Sequence, residues 1–460
     1  MDTHHVTIEH SDPEHELSRY YEHGECFVCV TFPHERSWLP GEPTSYSAIY
    51  YLHGSILRFL VAETELVLSA LVQMEREIET DILHGEAALD SLAALVGCAV
   101  INPALPLTLL TLAIAKPWGQ EVWYTGIEER GVCSIGDARS DTPLDVALSC
   151  APHLLLGEAP RTPILLKILD PHPEPELGNL YFELHEEKQE VYIVTHVDED
   201  AWPDGKGAIR LGAAPAVLDE FDNENDFKVA YLQAIGRYEK IRRDIDASLD
   251  ELRLEQGDEP GATLSPERSR ALLMRVSPDS HELERTSRTD MDRFTQLHPL
   301  VVGDVVKVPC YVPHALQHGV RTVEFQTPVY ERMIISFNQK VLTQNHWDTE
   351  AAVAAMILST EPLASSSDCL IDEAGLTVER IVDFDDFEVL RVRLEANSSF
   401  CVDSTDCYRL IMAVGGSLEI DGVHLASESA VLLPASYPQG LVLRPRTTGA
   451  VALLAQPKRQ

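Results

Sequence analysis

Apolar residues along this 460-residue chain follow two rhythms, and the switches between them divide it into segments. Over residues 47–96, Leu57, Leu60, Val61, Leu68, Leu71, Val72 and Ile78 form a broad stripe with Glu63, Glu65, Glu75 and Glu77 interleaved. That spacing predicts helix, interrupted at Gly85 and ended near Gly97. From 105 to 195 the pattern shortens to β-rich runs between turns, clearest at 122–124, 164–169 and 191–195. Residues 198–212, rich in Asp, Pro and Gly, predict a loop. A long helix follows, because Tyr231, Ile235, Tyr238, Ile241, Ile245, Leu249 and Leu252 recur at helical spacing. A polar stretch at 256–265 ends it, and a short helix is expected over 266–276. Strands return from about 300 to 337, then a helix over 348–358 and a Ser-rich linker over 364–372. The tail, 376–454, reads as short strands with turns at Gly415-Gly416, Asp421-Gly422 and Pro434. No short-period repeat is visible, but two β-rich regions can still be two barrels of similar build.

The length allows two to four domains. Asp and Glu number 74 against 36 Lys and Arg, for a formal charge of −38. A polyanion is repelled by nucleic-acid phosphate and by anionic membranes, so neither is expected as a partner. The excess acid reads as a heavily solvated surface. Nine cysteines, an odd number widely scattered, do not form a disulfide framework. Cys26-Phe-Val-Cys29 has no second pair to complete a zinc site and alternates like a strand. His4, His5, His10 and His15 are expected to be solvated in a polar terminus. No secretory signal is recognisable in the acidic, polar first residues, and a cytoplasmic location is expected. Residues 97–115 carry no charge, which raises a membrane span, but Asn102, Pro103 and Pro106 suit a buried connection entering a sheet.

Chemistry concentrates in two stretches. The first is Glu183-Leu-His185-Glu-Glu-Lys188-Gln-Glu190, and the second runs from Gly303 through Pro309 to His314. On a strand Glu183 and His185 point to one face. Glu190 can return to that face after a tight turn, and His314 would arrive from a partner strand. Three or four such nitrogen and oxygen ligands converging inside a barrel suit Zn²⁺, Mn²⁺, Fe²⁺ or Ni²⁺. Elsewhere, Arg242 and Arg243 on the long helix are expected to pair with surface acids, and Lys167 with Asp170.

The first stretch resembles the first cupin motif with its leading His replaced, and the second resembles the other cupin motif with Tyr311 at the place of a Gly. Lys116-Pro-Trp118-Gly, Leu165-Leu-Lys167-Ile-Leu-Asp170, Val312-Pro-His314-Ala-Leu and Val323-Glu324-Phe-Gln326 follow in that order. Together they resemble the type I mannose-6-phosphate isomerase family over roughly residues 106–456. The departures are a Glu at position 183 where the family has Gln, a shortened spacer before Glu190, and Tyr330-Glu-Arg332 in place of Thr-Tyr-Arg. The first hundred residues have no counterpart in the family.

The resemblance implies a mainly β fold with helical additions: two cupin (jelly-roll) β-barrels, a helical insertion in the first, and an extra helical N-terminal region. The implied domains are residues 1–104, a metal-binding barrel from 105–198 and 296–347, an insertion over 199–295, and a C-terminal barrel over 348–460. It implies one divalent ion, Zn²⁺ first and Mn²⁺, Co²⁺, Fe²⁺ or Ni²⁺ as alternatives, held by Glu183, His185, Glu190 and His314. Lys188 and Glu324 become candidates for proton transfer, Arg332 for the anionic part of the substrate, and Lys116 and Trp118 for contact with the sugar at the pocket edge. The expected reaction is aldose–ketose isomerisation of a sugar phosphate, mannose 6-phosphate to fructose 6-phosphate, through a cis-enediol(ate). Alternatives are a non-catalytic sugar-binding or regulatory cupin, and an isomerase or epimerase of another sugar. The expected partner is thus a small sugar or sugar phosphate, and a homodimer is left open. The helical insertion, pinned at both ends to one barrel, is expected to fold over the barrel mouth.

Overall fold

A computed structural model describes residues 3–458 except 11, 21–25, 78–84, 161, 258–264, 340–345, 359–366, 404–405, 439 and 447. The chain is mainly β, as expected, and divides into two compact units. One comprises Met1–Leu112, Trp123–Leu166 and Ser366–Gln460; the other comprises Ala113–Val122 and Lys167–Ser365.

In the first unit, strands Cys26–His34, Thr44–His53 and Ile56–Glu63 form an antiparallel meander, with Thr3–Thr7 parallel to Cys26–His34 at its edge. Helices Thr64–Glu77 and Glu86–Val96 pack on one face, where Val67, Ala70 and Met74 meet Phe27, Ile49, Tyr51 and Leu60. The helix expected from residue 47 therefore begins only at Thr64. Its first part is a hairpin turning at Gly54, whose φ of 61° is the left-handed conformation that favours glycine. The reason is double burial. Ile49, Tyr51 and Leu60 are buried on one face and Tyr50 and Phe59 are buried as well, so polar alternation disappears and the run mimics a helix stripe. His4 and His5 lie in the edge strand rather than in a loose terminus. Cys26 and Cys29 lie in a strand, as expected, and are buried free thiols.

The same unit holds a sandwich of a nine-stranded and a four-stranded sheet, the latter built from Phe400–Val402, Leu441–Pro445, Leu418–Ile420 and Val423–Leu425. Its interior is aliphatic throughout: Val378, Val392, Ile411, Leu418, Ile420, Val431, Leu441 and Leu443 fill it. Uncharged residues 97–115 supply Leu107–Leu110, a strand of the nine-stranded sheet, as the buried-connection expectation requires. Among the described residues, no helix is long and apolar enough to cross a membrane.

The second unit is another sandwich. One sheet has the order Val305–Val308, Glu190–Val197, Val320–Gln326, Leu165–Pro171, Gly119–Trp123, Leu112–Lys116. The other has the order Thr295–Leu300, Gly207–Ala213, His314–Leu316, Phe182–Leu184, Met333–Ser336. Between them Tyr192, Val194, Ile209, Leu211, Val306, Leu316 and Ile334 form the core. Gly207–Ala213 corrects the loop expected over 198–212. Its small residues hide the strand pattern, and a side chain at Gly207 would lie 2.3 Å from Val320 Cγ2.

The long helix Glu224–Glu255 starts at Asn223, whose side chain accepts from the Asp226 N–H at 3.0 Å. Phe227, Tyr231, Ala234, Ile235 and Tyr238 pack against Phe182, Leu184, Ala213, Ala315 and Ile335. Those residues lie on the sheet that also carries Glu183 and His314. The insertion thus covers the outer face of the sheet instead of folding over the barrel mouth, because the apolar alternate positions of these strands face outward and demand a cover. Arg242 pairs with Asp246 and Arg243 with Glu239, as expected. The polar stretch at 256–265 falls largely outside the described residues. Of the linker expected over 364–372, residues 364–366 lie outside them, and Asp368–Glu373 is instead a strand paired with Leu376–Asp383.

Candidate metal centre

Glu183 and His314 are directly opposite one another on neighbouring antiparallel strands. His185 follows the strand Phe182–Leu184 by one residue, and Glu190 opens the strand Glu190–Val197 in the facing sheet. The four side chains expected to act together are thus delivered by both layers. Ligand atoms of Glu183, His185 and His314 all lie within 4.8 Å of one another. Glu190 joins them, with Oε1 3.5 Å from His185 Nε2 and Oε2 3.2 Å from His314 Nε2.

Both imidazoles are turned the same way. His185 Nδ1–H donates to the Glu331 carbonyl at 3.0 Å, and His314 Nδ1–H donates to the Val312 carbonyl at 3.2 Å. Each therefore presents Nε2, with its lone pair, to the cluster. Burial presses the His185 imidazole well below its ordinary pKa, with Lys188 and His314 adding to the effect against the pull of Glu190. It is neutral at pH 7 and competent as a ligand. His185 Nε2 and Glu183 Oε2 are buried without a hydrogen-bond partner. Two orphaned donor atoms that converge with a second imidazole and carboxylates fit a divalent ion of borderline hardness.

Around this cluster the interior is charged. Lys188 Nζ is 2.6 Å from Glu190 Oε1, and the Tyr192 hydroxyl donates to Glu190 Oε2 at 2.6 Å. Burial alone would raise the Glu190 carboxyl, but the Lys188 ammonium, the largest opposing influence, overcomes it and holds the pKa well below the usual range. Glu324 lies two residues from Gln326, the direct cross-strand partner of Glu190. Its pKa is pushed well above the ordinary value, by burial first and by the charge of Glu190, with Lys167 offsetting only in part. Lys167 pairs with Glu324 at 3.2 Å and not with Asp170, which accepts from Gln120. Lys167 lies two residues from Leu169, a member of the barrel core, so it projects to the interior while Asp170 turns away.

The remaining expected site residues are placed less centrally. Lys116 pairs with Glu121 at 3.1 Å. Trp118 is 2% exposed within the apolar core of the barrel, where the sequence set it at the pocket edge. Arg332 lies over the Tyr181 ring at 5.5 Å, next in sequence to Glu331. Two contributors were not foreseen. Glu331 orients His185 through its carbonyl and accepts from the Glu186 and Glu187 N–H groups at 2.8 and 3.3 Å. Tyr192 could have been found, since it is two residues beyond Glu190 on a strand and so shares its face. Glu331 carries no such signal, because its contact uses the main chain. Tyr311, at the place of a motif glycine, keeps a glycine-like backbone with φ 64°, and its N–H donates to the His185 carbonyl at 2.7 Å.

Two sheets closed over a buried cluster of imidazoles and carboxylates give the chain a barrel of the cupin fold, and solved structures narrow the fold further. Mannose 6-phosphate isomerase from Bacillus subtilis is similar at a TM-score of 0.53 and 12% identity, over 76% of this chain and 99% of that one. A variant of phosphomannose isomerase from Salmonella typhimurium is similar at 0.52 and 13%, over 77% of this chain and 100% of that one. The chain has the fold of these isomerases. No family model matches the sequence, and no curated protein matches it.

Proposed function

We propose that this chain is a metal-dependent aldose–ketose isomerase of sugar phosphates, with mannose 6-phosphate and fructose 6-phosphate as the pair to test first. The observation that carries this reading is the buried set of Glu183, His185, Glu190 and His314, surrounded by lysines and a further acid, in a barrel of isomerase fold. The aliphatic interior of the C-terminal sandwich offers no comparable chemistry.

Isomerisation moves a proton between C1 and C2 of an open-chain sugar. A divalent ion held by these four residues, Zn²⁺ first, supplies Lewis acidity toward the sugar oxygens. The protein's own groups must do the rest. Glu324 and Lys188 are the candidates to carry the proton, a role typically contributing about 10²–10⁴-fold. Lys167 holds Glu324 in place. Arg332 provides a fixed cation for the phosphate or for the charge of the enediolate. Such a cation matters in a chain of charge −38, which otherwise repels an anionic substrate. Lys116 stands in the same region of the sequence motif as the family's sugar-side residues, and Trp118 supports that strand from within.

Purified protein is expected to hold about one divalent ion per chain, and His314→Ala to lose most of it. Arg332→Ala should lower kcat/KM for the sugar phosphate by about 10²-fold or more while affecting the unphosphorylated sugar far less. Full metal occupancy in His314→Ala rejects the site. Loaded protein that turns over no aldose or ketose, phosphorylated or not, transfers the fold to a sugar-binding role without turnover.

A further inference from the structure

We infer that Tyr192 is a positioning residue for the metal centre, fixing the Glu190 carboxylate through its hydroxyl; the inference rests on the metal reading above. Tyr192 is 3% exposed, two residues beyond Glu190 on the same inward face of the strand Glu190–Val197. Its ring belongs to a cluster otherwise rich in aliphatic residues, among them Val194, Val306 and Val308. A phenylalanine would fill that space equally well, so packing does not explain the hydroxyl. The hydroxyl donates to Glu190 Oε2 at 2.6 Å.

The other contacts of Glu190 show what this bond decides. Oε1 meets Lys188 Nζ at 2.6 Å and lies 3.5 Å from His185 Nε2, while Oε2 lies 3.2 Å from His314 Nε2. The last torsion of a glutamate is broad and poorly held by its own sterics. Lys188, on a long flexible stem, anchors one oxygen only. Tyr192, with its ring locked in the core, anchors the other and sets the carboxylate plane between the two imidazoles. One lone pair of Oε2 is then occupied from the barrel interior, and the remaining lone pairs face the imidazoles. Hydrogen bonds of this kind to metal-binding side chains typically change affinity by about 10–100-fold when removed.

The experiment is a double-mutant cycle on the full chain, stripped of metal and titrated with Zn²⁺ and Co²⁺ against a chromophoric chelator. Wild type, Tyr192→Phe, Glu190→Ala and the double variant are compared, with the Co²⁺ absorption bands recorded for each. Tyr192→Phe is expected to weaken binding about 10–100-fold and to shift the Co²⁺ bands. In the Glu190→Ala background the same change is expected to do nothing further, because the hydroxyl acts through that carboxylate. Near-ultraviolet circular dichroism of the apo forms checks that each is folded. Should Glu190→Ala fail that check, the affinity and bands of Tyr192→Phe decide alone. Unchanged affinity and bands in Tyr192→Phe overturn the inference and leave the metal site standing. An equal loss in both backgrounds overturns it too, assigning the effect to packing. Wild type that takes up neither ion overturns the metal reading and this inference together.

Discussion

Asp145 and Glu190 are both carboxylates taken out of water, and each stays charged because cations were buried beside it. At Asp145 the partners are His34 Nε2 at 2.9 Å and Arg36, whose Nε and a terminal nitrogen reach the two oxygens at 2.6 and 3.1 Å. Burial pushes this carboxyl up, but those hydrogen bonds and charges prevail and hold its pKa at about 2. A group whose folded pKa is depressed stabilises the fold above its unfolded value, about 3.9, and loses that contribution as pH falls toward the folded value. Asp145→Asn should therefore cost on the order of 2 kcal/mol at pH 7, and the gap to wild type should begin to close below about pH 4. Urea unfolding of both proteins between pH 7 and pH 3 measures it. A gap constant over that range would mean that His34 and Arg36 do not hold the charge. At this scale the meeting of Glu183, His185, Glu190 and His314 was legible, because residues alternate on strands and two short motifs placed all four. The partner of Lys167 was not, since Asp170 is nearer in sequence but turns to the other face of the strand, and only the fold brings in Glu324.

Helix Glu224–Glu255 and the sheet beneath it form a single mechanical element. Phe182 and Leu184 bind the helix while Glu183, between them, faces His185 and His314. Phe227 is fully buried at that seam, so Phe227→Ala should destabilise the protein by about 3–5 kcal/mol. The denaturant midpoint reads this, and a loss below about 1 kcal/mol would mean that the helix end is only loosely seated. The helix was visible in the sequence because one face alone is apolar. Hairpin 44–63 was not, because a strand buried on both faces shows no alternation. Strand Gly207–Ala213 escaped for the opposite reason: glycine and alanine give no pattern, and what requires them is the close approach of Val320. In each case the missing information is what lies on the other side of the segment, and no local window contains it.

Across the whole molecule the excess of acid is the dominant long-range term. Even with all 36 Lys and Arg matched to acids, a formal charge of −38 remains, a strong self-repulsion that salt screens within about 10 Å at 0.1 M. Raising sodium chloride from roughly 20 mM to roughly 0.5 M should increase Tm by several degrees. Scanning calorimetry checks it, and a falling Tm would show that the ion pairs outweigh the repulsion. The two sandwiches differ in what fills them, aliphatic in one and charged around a ligand cluster in the other. In the charged one, Glu183 and His314 stand in one layer and Glu190 in the opposite layer. An ion held by them, as proposed, would be gripped from both sides and act as a rivet through the seam. At a hundredfold excess over Kd it would add about 2.7 kcal/mol to the folded state. Backbone amide exchange in Phe182–Leu184 and Glu190–Val197 should then slow in concert on loading and quicken in concert on chelation.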